Sequence, residues 1–267
     1  MTKQKGVIDP AAHDKQEMFI GWARAPAVDR RFLMGVLPLG LAGAGGVSWL
    51  IASELDDPGA GAWLTDVTHN VTGVLTHKPY PMIRMPDPSA PFGMRTVLVV
   101  AQGKCTSALK LAEQKGLTVM ASGALIQRKT RQMLEVPPFL ENWLEVLDEK
   151  LVGAETLIEP PVEQMGRARL SGTIMDSKCF FGVMRPGRGK THKACASLCI
   201  RGGIPPSFWV RSEDGRENVL LMTDAVGGPV PMDILPLVAD PVEAEGELIR
   251  VGDLLQFRAD VSAYRRL

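Results

Sequence analysis

The hydrophobic pattern changes character near residue 54. Residues 32–53 (FLMGVLPLGLAGAGGVSWLIAS) are an apolar run without Asp, Glu, Lys or Arg. At about 1.5 Å per residue, a helix of that length covers roughly 33 Å, against a bilayer core of about 30 Å. The run predicts one transmembrane helix over 32–53. Beyond it the apolar positions come in short runs separated by Gly, Pro and Asp, the pattern of strands and turns. Strands are predicted over 67–75, 95–101, 117–126 and 132–136, with helices over 106–115 and 139–150. After Glu159-Pro160-Pro161 a similar order follows. Strands are predicted over 168–176, 207–210, 218–223, 245–251 and 254–259, with a helix over 191–201.

The two halves share a faint repeat. VTGVL (71–75) matches LSGTI (170–174), and VMASGALIQ (119–127) matches EAEGELIRV (243–251). A central Gly suits a strand that bends sharply in a small barrel. The predicted fold is therefore mainly β, with one N-terminal transmembrane helix followed by two small OB-like antiparallel β-barrel domains. They would occupy 63–150 and 161–267, with 54–62 as a linker. A single β-sandwich accounts for the same strands.

Charge gives the helix a direction. Lys3, Lys5, Lys15, Arg24, Arg30 and Arg31 precede it, whereas Glu54, Asp56 and Asp57 follow. The positive-inside rule makes 1–31 a cytoplasmic tail and sends the remainder across the membrane. The expected location is the bacterial inner membrane, with the soluble domains in the periplasm. Arg30-Arg31-Phe32-Leu33 resembles a twin-arginine export signal with one residue missing, which keeps this topology. Gly35, Gly40, Gly43, Gly45 and Gly46 would let a partner helix approach closely, so a membrane-protein complex is an expected partner. Lys+Arg and Asp+Glu are equal at 30 each, so no global field favours nucleic acid, and none is expected as a partner.

Candidate chemistry concentrates in DSKCFFGVMRPGRGKTHKACASLCIRGGI (176–204). His192, Cys195 and Cys199 would share one helix face, and Cys179 can fold back onto it. A structural disulfide from Cys179 to Cys195 or Cys199 is the first expectation outside the cytoplasm, and Cys105 could take up an odd thiol. Metal binding by Cys179, His192, Cys195 and Cys199 is the alternative, with zinc or copper as the ion. A redox dithiol fits least, because C-x-x-x-C inside a helix lacks the usual C-x-x-C spacing. Asp176 either orients the imidazole or caps a turn. His69 and His77 are isolated candidates for ligands or bases. Lys178, Arg185, Arg188, Lys190, Lys193 and Arg201 make the stretch basic, which reads as a solvated loop or as a docking surface for acidic groups.

G-x-I-x-D-x-x-C, then H-x-x-C-x-x-x-C and G-G-I-P, over about 172–209, resembles small exported bacterial proteins of unassigned function with an OB-like domain. The resemblance implies export and no reaction. Hydrolase, zincin, haem, Rieske and dinucleotide motifs do not occur. The preferred expectation is a non-catalytic accessory subunit of a membrane complex, such as a respiratory one. A metal-binding or electron-transfer protein is the alternative.

Overall fold

The structure is a computed structural model and describes residues 27–54, 61–106, 116–137, 142–149, 151–212 and 215–267. It divides into a helical unit, Met1–Asp57, and a β-rich unit, Pro58–Leu267. The predicted tail falls largely on residues 1–26, which lie outside the described residues, as does nearly all of the predicted helix over 106–115.

The first unit holds α1 (Ala27–Glu54), which begins five residues before the uncharged run and contains Pro38. Its stretch Asp29–Leu50 is long and apolar enough to cross a membrane. Phe32, Met34, Leu39 and Trp49 are exposed, whereas a soluble core helix would bury such side chains.

The second unit is mainly β; strands make up 46% of the structure. Its first sheet contains β1 (Gly61–Thr76), β2 (Met82–Pro86), β3 (Met94–Ala101), β4 (Thr118–Arg128), β5 (Arg131–Val136) and β6 (Leu144–Val146). The order is β1-β2-β3-β5-β4-β6, and β4 also pairs with β1. A short helix, α2 (Ala154–Ile158), leads to the second sheet. That sheet contains β7 (Val162–Asp176), β8 (Pro206–Arg211), β9 (Glu217–Thr223), β10 (Pro241–Val251), β11 (Leu254–Arg258) and β12 (Tyr264–Arg266). Its order, β11-β9-β8-β7-β10-β12 with β11 also on β10, repeats the first sheet element for element. Each circuit contains one parallel contact, β3 with β5 and β9 with β11. The others are antiparallel, and the long strands β1 and β7 each carry a register shift.

The faint sequence repeat thus falls on equivalent strands, β1 with β7 and β4 with β10. Gly73 and Gly172 show why the repeat keeps glycine. A Cβ at Gly73 would stand 2.4 Å from the Arg84 carbonyl oxygen, and one at Gly172 would stand 2.2 Å from that of Trp209. The first strand of each sheet therefore lies against its neighbour at a distance only glycine allows. Gly172→Ala is expected to part β7 from β8 and cost about 1–3 kcal/mol, read as a drop of several degrees in thermal unfolding.

One predicted element changes type. The helix expected over 139–150 is, among the described residues, the strand β6. Leu144 pairs with Ala121 and Val146 with Val119, while Trp143 is buried. Burial and the open edge of β4 outweigh the helical spacing of Leu144 and Leu147. Strands β2 and β12 are additions; Pro79 and Pro81 hide the first, and the second has three residues.

The sheets have their own apolar cores and share a third. Tyr80, Met82 and Met133 of the first sheet meet Phe180, Phe181 and Leu254 of the second. The Tyr80 hydroxyl donates to the Met222 carbonyl (3.0 Å) and accepts from the Val230 N–H (3.1 Å). Arg131 donates to the carbonyls of Asp253 and Val219.

Candidate functional site

The distinctive chemistry sits where the loop after β7 is folded back over that shared core. The strand ends on Asp176, whose Oδ1 accepts the Cys179 N–H at 2.8 Å. The Ser177 hydroxyl donates to the Pro205 carbonyl at 2.7 Å. Phe180 and Phe181 then anchor the turn in apolar surroundings. The chain returns through a 3-10 turn, Lys190–His192, into α3 (Lys193–Arg201). Positions 195 and 199, one helical turn apart, project from the same face. That face meets Cys179.

Three sulfurs converge there. Cys179 Sγ is 4.0 Å from Cys195 Sγ and 4.0 Å from Cys199 Sγ. All three lie within 4.8 Å of one another, with Cys179 and Cys199 buried and Cys195 partly exposed. The expected disulfide is absent: all four cysteines, the exposed Cys105 included, are free thiols. A disulfide needs sulfurs about 2.05 Å apart. Here Asp176 holds the Cys179 backbone and α3 holds the other two sulfurs, leaving a three-sided group in place of a bonded pair.

His192 takes a different position from the one its helical spacing suggests. It precedes the helix as its N-cap, and its Nε2 lies 3.1 Å from Asp176 Oδ2. Asp176, Cys179 and His192 form a second group of ligand atoms within 4.8 Å, so Cys179 belongs to both groups. The orienting role suggested for Asp176 is met by this geometry, since one carboxyl group holds the imidazole and the Cys179 backbone together.

Lys104, in the turn after β3, has no sequence signal. Its Nζ stands 2.7 Å from Cys195 Sγ and 3.6 Å from Cys199 Sγ. Close backbone approach brings it there. Thr106 N–H donates to the Gly202 carbonyl at 2.8 Å, and a Cβ at Gly202 would stand only 1.6 Å from the Lys104 carbonyl oxygen. The electrostatics follow. The Cys179 thiol donating to Cys199 brings the latter down to about 7, with Lys104 also favouring its thiolate. Its partner Cys179 is driven up by that same hydrogen bond, by burial and by Asp176. The hydrogen bond to Cys195 raises Lys104 above its ordinary value, keeping the ammonium charged. Cys199 is the first of the coupled pair to ionise.

One member of the basic stretch, Lys178, is turned inward, and three others make contacts with the body. Lys178 is buried, 2.5 Å from Glu135 Oε1, and also donates to the Ala101 and Gly103 carbonyls. Arg185 donates to the Gly61 carbonyl, Arg188 stacks over Trp209, and Lys193 pairs with Asp240. These contacts tie four of the six cations to the body and clamp the thiol loop. Arg185, Lys190 and Arg201 are exposed. His69 lies in β1 and His77 just after it; neither joins a metal-competent cluster among the described residues. No protein-family model matches the sequence, and no curated protein is detectably similar to it.

Proposed function

We propose that this chain is a membrane-anchored, extracytoplasmic protein whose body binds one thiophilic metal ion on Cys179, Cys195 and Cys199. The convergence of three unbonded sulfurs carries the reading. Three sulfurs each about 2.3 Å from one ion in a common plane are about 4.0 Å apart, close to the spacing found. Soft thiolates select Cu(I) or zinc. Cu(I) suits three sulfurs alone, whereas zinc would need a fourth ligand, for which His192 beside Cys179 is the nearest imidazole. Lys104 offsets part of the thiolate charge.

Each sheet, with its circuit closed through one parallel contact, is read as an OB-like barrel, the two occupying about 63–150 and 161–267. The helix α1 is read as an uncleaved anchor in the bacterial inner membrane, with 1–31 cytoplasmic and the body periplasmic. In that oxidising compartment a bound ion would protect thiols that otherwise tend to pair.

The test is elemental analysis with thiol mapping of the full chain, extracted in mild detergent. About one equivalent of copper or zinc per chain is expected, with Cys179, Cys195 and Cys199 unmodified. Replacing Cys195 and Cys199 with Ser should abolish it, and Lys104→Met should weaken retention several-fold by removing a charge-assisted contact to sulfur. A Cys179 disulfide with no metal would sink the reading.

A second reading concerns the setting: the chain is an accessory subunit of a larger membrane complex. The exposed glycines of α1, where an added Cβ meets nothing within 4 Å, favour it. Gentle solubilisation would show a co-eluting partner; migration as a lone monomer would count against it.

A further inference from the structure

We infer that a cleft between the two sheets, away from the thiols, is a binding site for a phosphate-class oxyanion, held by Arg84, Arg258 and Lys78. The cleft has a volume of about 330 Å³ and is lined from the end of β1, from β2, from the segment after α2, and from β10 and β11. Its cationic side chains come from both halves, Lys78 and Arg84 from the first and Arg258 from the second. The acidic residue on its lining is Glu159, which is exposed.

Arg84 is the unusual member. It is only 3% exposed, yet forms no ion pair among the described residues. Its Nη1 donates to Thr76 Oγ1 at 3.1 Å and to the Leu157 carbonyl at 3.3 Å, both neutral acceptors. Its Nε is buried without a partner. Burial pulls the guanidinium down to about 10, so it remains charged at neutral pH. Asp253 favours that charge electrostatically, without an ion pair between the two among the described residues. A buried cation without a counter-ion is costly, and an anion in the cleft would offset the cost.

Arg258 supplies an independent observation. Its side chain makes no hydrogen bond or ion pair among the described residues, and its Nε too is buried without a partner. Yet it is tightly placed, because a Cβ on Gly227 would stand 2.9 Å from its Nη2. Two guanidinium groups that line one cleft, neither in an ion pair among the described residues and each with an unpartnered Nε, match a tetrahedral oxyanion, which accepts paired N–H donors. Lys78, exposed and on the same lining, adds a third charge. The volume exceeds one inorganic phosphate, so the oxyanion arrives either free or on a small organic molecule.

Isothermal titration of the full chain in detergent, at fixed ionic strength, tests this with three probes: inorganic phosphate, sulfate and glycerol 3-phosphate. Saturable binding is expected, with a dissociation constant of about 1 mM or tighter for the best probe. Arg258→Gln should weaken it at least about tenfold, and Lys78→Gln about threefold, by removing a charged donor. The control Lys190→Gln, on the exposed thiol loop, should bind as the parent does. A preference for the ester would identify a phosphorylated small molecule, and a preference for phosphate or sulfate a free ion; either supports the site. Arg258 is partly exposed, so its variant should fold, with unchanged circular dichroism as the check. No saturable binding of any probe, or parent-like binding by folded Arg258→Gln, would overturn the proposal. Metal content at the cysteines should be the same in all these variants, which separates failure here from failure there.

Discussion

Glu135→Ala is expected to destabilise the β-rich unit by about 3–5 kcal/mol, the range for stranding one member of a buried ion pair. Glu135 lies in β5 of the first sheet and Lys178 in the loop of the second, 5% and 3% exposed at their side chains. Lys178 would keep the Ala101 and Gly103 carbonyls but lose its counter-charge. Trp63 would lose the acceptor for its indole N–H, now 3.0 Å from Glu135 Oε2. For a body of this size, 3–5 kcal/mol corresponds to a fall of roughly 10 °C in the unfolding midpoint. The double variant Glu135→Met with Lys178→Met should recover much of the loss, because it leaves no buried charge without a partner. The functional consequence is the sharper one. Lys178 immediately precedes Cys179, so releasing it frees the segment that presents Cys179 to α3. Metal retention should fall in Glu135→Ala although no sulfur is altered. A midpoint shift below about 2 °C would show that the pair contributes little; calorimetry decides between these outcomes.

Why the sequence anticipated some of this and missed the rest follows from the range of each interaction. The apolar helix was legible because its length and lack of charge are properties of one continuous segment. The match of β1 to β7 was legible because Gly73 and Gly172 answer to the same close strand contact. The placing of Cys195 and Cys199 on one face needed only helical periodicity. Local spacing misled at His192, because the helix starts at Lys193, two residues later than its predicted start, and the imidazole turns to Asp176. It misled again at 139–150, where the open edge of β4 decides the structure. Lys104, Glu135 and Arg84 carry no signal at all. Their roles arise from the packing of one sheet against the other; Lys104 reaches Cys195 across 91 residues of sequence. The burial of Lys178 against Glu135 is of this kind. Lys178 looks like its exposed neighbours until Glu135 is placed beside it.

Asp176→Ala is the second substitution with a large expected effect, about 3 kcal/mol. Asp176 is fully buried and holds two donors, the Cys179 N–H and the His192 ring. Removing it leaves both in a dry environment, each costing about 1–3 kcal/mol, and opens a small void. The same change releases the turn that fixes Cys179 relative to α3, so metal retention is expected to collapse along with stability. His192→Gln separates the two possible duties of the imidazole. If the three sulfurs hold the ion and His192 only braces Asp176, the variant should keep about one metal per chain and lose roughly 1 kcal/mol, because Gln can still donate to the carboxyl group. If His192 is itself a ligand, metal content should fall as far as it does in the cysteine variants, while the unfolding midpoint of the metal-free protein hardly moves. The geometry favours the brace, since Nε2 faces Asp176 at 3.1 Å. Elemental analysis beside thermal unfolding, on metal-loaded and metal-free protein, distinguishes them, because a brace changes stability in both forms whereas a ligand changes it only when the ion is present.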